Sequence, residues 1–141
     1  MTVDEIRKEL QQKAREAIEE TDQKGLEATK KNTQDFYSGG TPELYVRTGQ
    51  LGNSPKSTGV SGGGNTYESK IYLDVGGTSY MVPNPLFDFD GTGRFSHYSS
   101  DEVFDAAENG HSHVVGKPGF WKKSDKEIEQ IFDSSVSKRF S

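Results

Sequence analysis

At 141 residues the chain has the length of one ordinary domain, and it is too short for two joined by a linker. Lys plus Arg number 17 against 22 Asp plus Glu, a formal net charge of −5 that argues against a protein whose main task is to grip a phosphate backbone. Cysteine is absent, which excludes disulfides, thiolate catalysis and Cys-based zinc sites.

Only 30% of the residues are hydrophobic and the mean hydropathy is −0.84. Average globular chains are about 45–50% apolar when glycine is counted. A lone copy would therefore have a thin core, a shortage commonly relieved by contacts between subunits. The opening Met1-Thr2-Val3-Asp4-Glu5 is polar and acidic, so no secretory signal is expected. No stretch approaches the roughly 18 apolar residues of a membrane span. A soluble protein made in a cytoplasm is the expectation, with no membrane partner.

Residues 1–37 read as one long helix. Thr2 followed by Glu5 matches a capping box. At 100° per residue, Val3, Ile6, Leu10, Ala14, Ala17, Ile18, Gly25, Ala28 and Phe36 share one stripe, whose middle is made of small residues that allow close backbone approach. Glu9–Lys13, Glu20–Lys24 and Glu27–Lys31 are i,i+4 pairs in the favourable order. Gly25 costs about 1 kcal/mol against alanine and marks a place for a bend or break. A helix of about 30 residues would span about 45 Å, more than the width of so small a domain. Part of it must project, or lie against a partner.

Gly39-Gly40 and Thr41-Pro42 stop the helix, and residues 38–85 are read as loop and antiparallel sheet. A strand is expected to begin within 56–60, followed by the glycine-rich loop Ser61–Asn65. From Thr66 to Val75 the odd positions Tyr67, Ser69, Ile71, Leu73 and Val75 alternate with Thr66, Glu68, Lys70, Tyr72 and Asp74, the pattern of a half-buried strand. Gly76-Gly77 is suited to a tight hairpin turn, and Thr78–Val82 is expected to return antiparallel. The result is a meander of three to four strands, ended by Pro83-Asn84-Pro85.

Residues 86–98 are read as irregular. Ser99 or Ser100 caps a short helix to Asn109, ended by Gly110. A turn at Lys117-Pro118-Gly119-Phe120-Trp121 precedes a last helix, opened by Ser124 with Glu127 in a second capping box. Its expected inward face is Ile128, Ile131, Phe132, Val136 and Phe140. The class is α+β, a single domain over 1–141 with residues 99–141 forming two shorter helices.

Few residue patterns carry chemistry. Asp88-Phe89-Asp90-Gly91 has carboxylates one residue apart, yet a calcium loop wants a third oxygen ligand before its glycine and a Glu at position 12, where Ser99 stands. His111 and His113 lack a well-placed third ligand, His97 being the only other imidazole. A small metal-dependent hydrolase or secreted effector built on these groups is the alternative reading. The leading expectation is no enzyme, no metal and no cofactor. Phe120 and Trp121 at a rigid turn are of the type found at interface hot spots, and equally of the type that plugs a core under a loop. Tyr45 and Arg47 flank a valine in a polar segment, which makes Arg47 a candidate for an intersubunit ion pair.

The run Tyr45-x-Arg47-Thr48-Gly49-x-Leu51-x-x-Ser54 follows a long amphipathic helix, precedes a hairpin and is answered by a Pro-aromatic turn near the C-terminus. In that order these features resemble a family of small proteins of long, non-contractile-tailed bacteriophages, described as tail components, neck proteins or tail-completion proteins. The resemblance covers nearly the whole chain apart from residues 83–98. It implies a virion protein at the head–tail junction or upper tail, working by assembly into a homo-oligomeric ring. Its neighbours would be connector and tail proteins, and DNA would pass without specific binding. Tyr45, Arg47, Leu51, Phe120 and Trp121 are then the interface candidates.

Overall fold

The computed structural model describes residues 2–40, 51–63, 66–74, 80–83, 95–98, 100–110, 114 and 116–140, with backbone only for 80–83, 95–98 and 100–103. Helix α1 (Val3–Asp35) starts at the expected capping box: Glu5 N–H donates to Thr2 Oγ1 and Thr2 N–H to Glu5 Oε2, both at 3.1 Å. It runs unbroken through Gly25 into a 3-10 turn, Phe36–Gly39. No bend occurs there because Gly25 is a packing residue. A Cβ at this position would lie 2.7 Å from Ile71 Cδ1 and 3.2 Å from Ile128 Cγ1. The missing side chain lets two isoleucines close on the helix from different elements.

Helix α3 (Phe120–Phe140) lies antiparallel against the C-terminal two-thirds of α1. The seam differs from the expected stripe. Its α1 side is Ala17, Thr21, Gly25, Thr29, Asn32 and Thr33, all buried, and its α3 side includes Ser124 and Ser135. These hydroxyls bury without loss because they return their protons to nearby carbonyls. Thr21 donates to Ala17 O (2.7 Å), Thr29 to Gly25 O (2.8 Å), Thr33 to Thr29 O (2.7 Å) and Ser124 to Phe120 O (2.7 Å). Ser135 donates across the seam to Ala17 O at 3.3 Å. Asn32 Nδ2 donates to Ser124 Oγ and Glu127 Oε2, both at 3.1 Å. Small residues let the two backbones approach closely, and the buried amide fixes their register.

The antiparallel part consists of three two-stranded ladders among the described residues. Strands β1 (Pro55–Ser57) and β2 (Ser61–Gly63) form the outgoing arm of a hairpin; β3 (Thr66–Glu68) and β4 (Ile71–Leu73) form the return. Pro55 faces Leu73 and Ser57 faces Ile71, but Ser61 faces Glu68, so three residues, 58–60, oppose two. The extra residue is a bulge, with Gly59 at φ +75° and its N–H held by Ser57 Oγ at 2.9 Å. Ser57 Oγ in turn donates to Asp22 of α1. The bulge sits on the outgoing arm, so the expected alternation over residues 66–74 survives: odd positions half-buried, even ones exposed. It does interrupt the single strand expected from Thr66 to Val75.

Strand β5 (Tyr80–Pro83) pairs with β6 (Phe95–Tyr98), Tyr80 facing Tyr98. Two expectations change. The described part of the returning segment, Tyr80–Pro83, pairs forward in sequence, with no pairing to Ile71–Leu73 among the described residues, and residues 95–98, expected to be irregular, form a strand. The Gly76-Gly77 turn lies outside the described residues. Helix α2 (Ser100–Asn109) ends as expected at Gly110, whose φ is +73° and whose N–H donates to Ala106 O at 2.8 Å. Helix α3 begins four residues before the expected Ser124 cap. Its first turn is capped from α2: Trp121 N–H and Lys122 N–H donate to the two carboxylate oxygens of Glu108 at 2.8 and 3.0 Å.

An aromatic cluster closes the end where α1, α2 and α3 meet. Phe36, Leu51, Ala107 and Phe120 are buried, with Tyr37, Leu73, Phe104, Val114 and Trp121 around them. Phe120 stands edge-on to Phe36 (5.4 Å between centroids) and to Phe104 (6.1 Å). The Phe36 ring edge occupies the space that a Cβ on Gly116 would need. Buried polar residues are about as numerous as buried apolar ones among the described residues, in keeping with the composition.

Candidate assembly surface

The structure distributes the sequence candidates unevenly. Tyr45, Arg47, Asp88, Asp90, His111 and His113 lie outside the described residues, and of His97 only the backbone is described. Leu51 and Phe120, expected as contact residues, are 7% and 4% exposed and belong to the core. The physical reason is local. Leu51 opens a turn in which Ser54 donates twice to Leu51 O, through N–H at 3.1 Å and Oγ at 2.6 Å. Gly52 N–H donates to Tyr37 Oη at 2.8 Å, and Gln34 Nε2 donates to Gly52 O at 3.1 Å. The Leu51-x-x-Ser54 end of the motif therefore clamps the chain onto the end of α1. Trp121 is half-buried: it packs against the core cluster and also lines an open groove. Among the described residues no cluster of His, Asp or Glu could hold a metal ion.

Among the described residues the surface offers instead two open apolar areas. The first is the projecting end of α1. The α3 helix stops at Phe140, so the opening three turns of α1 extend beyond the seam, and Val3, Ile6, Leu10 and Phe140 are 71%, 43%, 48% and 44% exposed. Together with Arg7, Gln11 and Ala14 they line a shallow groove. The sequence places Val3, Ile6 and Leu10 on the apolar stripe of a helix expected to project in part, and Phe140 on the inward face of the last helix. They stay largely exposed because, of the other described elements, it is only the end of α3, at Phe140, that borders the groove.

The second area is a groove of about 560 Å³ bounded by α1, the β3–β4 arm and α3. Its floor is Ile18, Tyr67, Ile71, Trp121, Ile128 and Phe132, the last 41% exposed. Glu68, Asp125 and Glu129 stand along it, and none makes an ion pair or side-chain hydrogen bond among the described residues.

Other charges are paired along α1 and at its contact with α3. Where α3 ends, Glu20 accepts from Lys138 Nζ at 2.9 Å and from Arg139 Nη2 at 2.9 Å. Hydrogen bonds from Arg139 and then Lys138 hold its carboxyl well below the usual range, at about 2. Asp35 is lowered first by the Ser38 hydroxyl and then by the Lys117 ammonium, 3.4 Å away. The Arg15 guanidinium is raised by Glu19, which it meets at 2.8 Å. All three lie on α1; Glu20 also lines a shallow open pocket with Lys24, Glu127, Gln130, Ile131 and Ser134.

Comparison with protein-family models, with curated proteins and with solved structures returned no match. Among the described residues no helix is long and apolar enough to cross a membrane.

Proposed function

We propose that this chain is a structural subunit of a tailed bacteriophage, acting at the head–tail junction or upper tail and working by assembly rather than by catalysis. The observation that carries the reading is the projecting end of α1, where large aliphatic side chains stand in solvent while the same helix buries threonines further on. Contiguous exposed apolar surface of this kind marks an interaction site. The resemblance of Tyr45-x-Arg47-Thr48-Gly49-x-Leu51-x-x-Ser54 and the Pro118–Trp121 turn to small tail and neck proteins supplies the setting. The net charge of −5 suits a conduit that passes DNA without holding it.

The test is genetic and direct. Deleting the coding sequence from a phage that carries it should leave filled heads and free tails accumulating separately, seen by electron microscopy. Mass spectrometry of purified virions should find the protein. Normal particle yield from the deletion, with no copy in the virion, would reject the reading.

A further inference from the structure

We propose that copies of this chain join head to tail, the projecting stripe of α1 from one copy docking into the groove between the β3–β4 arm and α3 of the next. The inference rests on the assembly reading and names the contact that would carry it. Val3, Ile6 and Leu10 form the ridge; Ile18, Tyr67, Ile71, Ile128 and Phe132 form the floor that receives it.

Charge makes the two areas complementary to each other rather than each to itself. On a helical projection Arg7 and Lys13 flank the stripe at about 60° on either side, and Asp4 and Glu9 lie further round, at about 110°. Arg7 also lines the stripe's own shallow groove. Their present partners hold them weakly: Arg7–Asp4 is 3.6 Å and Lys13–Glu9 is 3.5 Å, both on exposed side chains. The receiving groove has carboxylates at its margin, Glu68, Asp125 and Glu129, with no partner among the described residues. An apolar ridge edged by cations meets an apolar trough edged by anions. Pairing stripe with stripe would place like edges together instead.

The stripe cannot fill the groove of its own chain. Ile18 and Thr21 belong to both α1 and the groove wall, and Leu10 lies about 12 Å along the axis from Ile18. Helix α1 is continuous across this interval, so only another copy can bring Leu10 to Ile128. A contact between two different patches of one molecule is heterologous. It leaves a free stripe at one end and a free groove at the other, and so propagates until it closes as a ring or continues as a filament.

The test uses two full-length variants at exposed positions, Leu10→Glu on the stripe and Phe132→Glu on the groove, compared with the wild type by analytical ultracentrifugation after circular dichroism has confirmed their helix content. Each variant alone should lose self-association, and an equimolar mixture should regain it only as a one-to-one dimer, since each pair keeps a single good stripe and a single good groove. Reversing the margin with Asp125→Lys and Glu129→Lys should weaken wild-type association about tenfold, a shift of ~1.4 kcal/mol. Self-association that survives in Phe132→Glu but not in Leu10→Glu would mean stripe against stripe and would overturn the proposal. Association unaffected by any of these changes would overturn this contact while leaving the assembly reading intact. A wild-type chain that stays monomeric at its solubility limit would overturn it too, and virion composition would then decide the broader reading separately.

Discussion

The two ends of α1 invert the ordinary relation between side-chain type and burial. Its first three turns carry valine, isoleucine and leucine and leave them in solvent; its last five bury threonine, asparagine, glycine and alanine. The difference lies in what stands opposite. From Ala17 onward α3 and the hairpin cover the helix, and closeness of approach matters more there than oiliness. Each threonine becomes effectively apolar once its hydroxyl is returned to the carbonyl one turn back. Before Ala14 the described chain offers little more than Phe140 of α3, and Val3, Ile6 and Leu10 stay largely exposed. Burial follows what packs opposite, and the exposure of the stripe follows from how little does.

The comparison is most easily broken at Gly25, where the seam is tightest. Gly25→Val would place a branched side chain where Ile71 Cδ1 and Ile128 Cγ1 already stand within 2.7 and 3.2 Å of a Cβ. Overpacking of this kind costs about 1–3 kcal/mol, more than any gain in helix propensity returns. Urea denaturation should show a lower midpoint with an unchanged slope. A stability equal to wild type would mean the seam is loose, and that α1 is not held against α3 by close approach.

Much of this was legible in the residues, and what failed did so for a common reason. The capping box at Thr2, the Gly110 stop and the alternation over 66–74 are local, and each is present where expected. The seam escaped because threonine counts as polar until its hydroxyl has a partner. The start of α3 was misplaced because its cap, Glu108, comes from another helix, while Ser124, four residues in, turned inward. The bulge at Gly59 and the forward pairing of β5 with β6 depend on partners distant in the chain. At the surface, Phe120 and Trp121 stood out by type and Leu51 through the resemblance, but whether a large side chain plugs a core or meets a partner is decided by what surrounds it.

A smaller effect is expected at the boundary between the two halves, where Glu20 ties α1 to Lys138 and Arg139. Its carboxyl falls from an ordinary 4.5 to about 2 in the folded chain. A lowered folded value means that the clamp's contribution is complete above pH 4.5 and is lost as pH falls toward about 2. Glu20→Gln should therefore be less stable than wild type near neutrality, and the two denaturation curves should converge in acid. A gap that persists unchanged at pH 2 would show that Glu20 acts through packing rather than charge.

The smallest change sharpens the comparison most. Thr29 is fully buried, and its hydroxyl donates only to Gly25 O, a carbonyl of its own helix. If threonine serves here as a compact β-branched apolar group, Thr29→Val keeps the shape and removes a hydrogen bond whose net worth is about 0.5–1.5 kcal/mol, set against the cost of burying a hydroxyl at all. These terms nearly cancel, and stability should stay within about 0.5 kcal/mol of wild type by urea denaturation. A loss well beyond that would mean the hydroxyl bond itself holds the seam. The polar residues would then be a reason α3 covers this half of α1, and the bare stripe at the other end would owe its exposure to chemistry on α1 as well as to how little packs opposite.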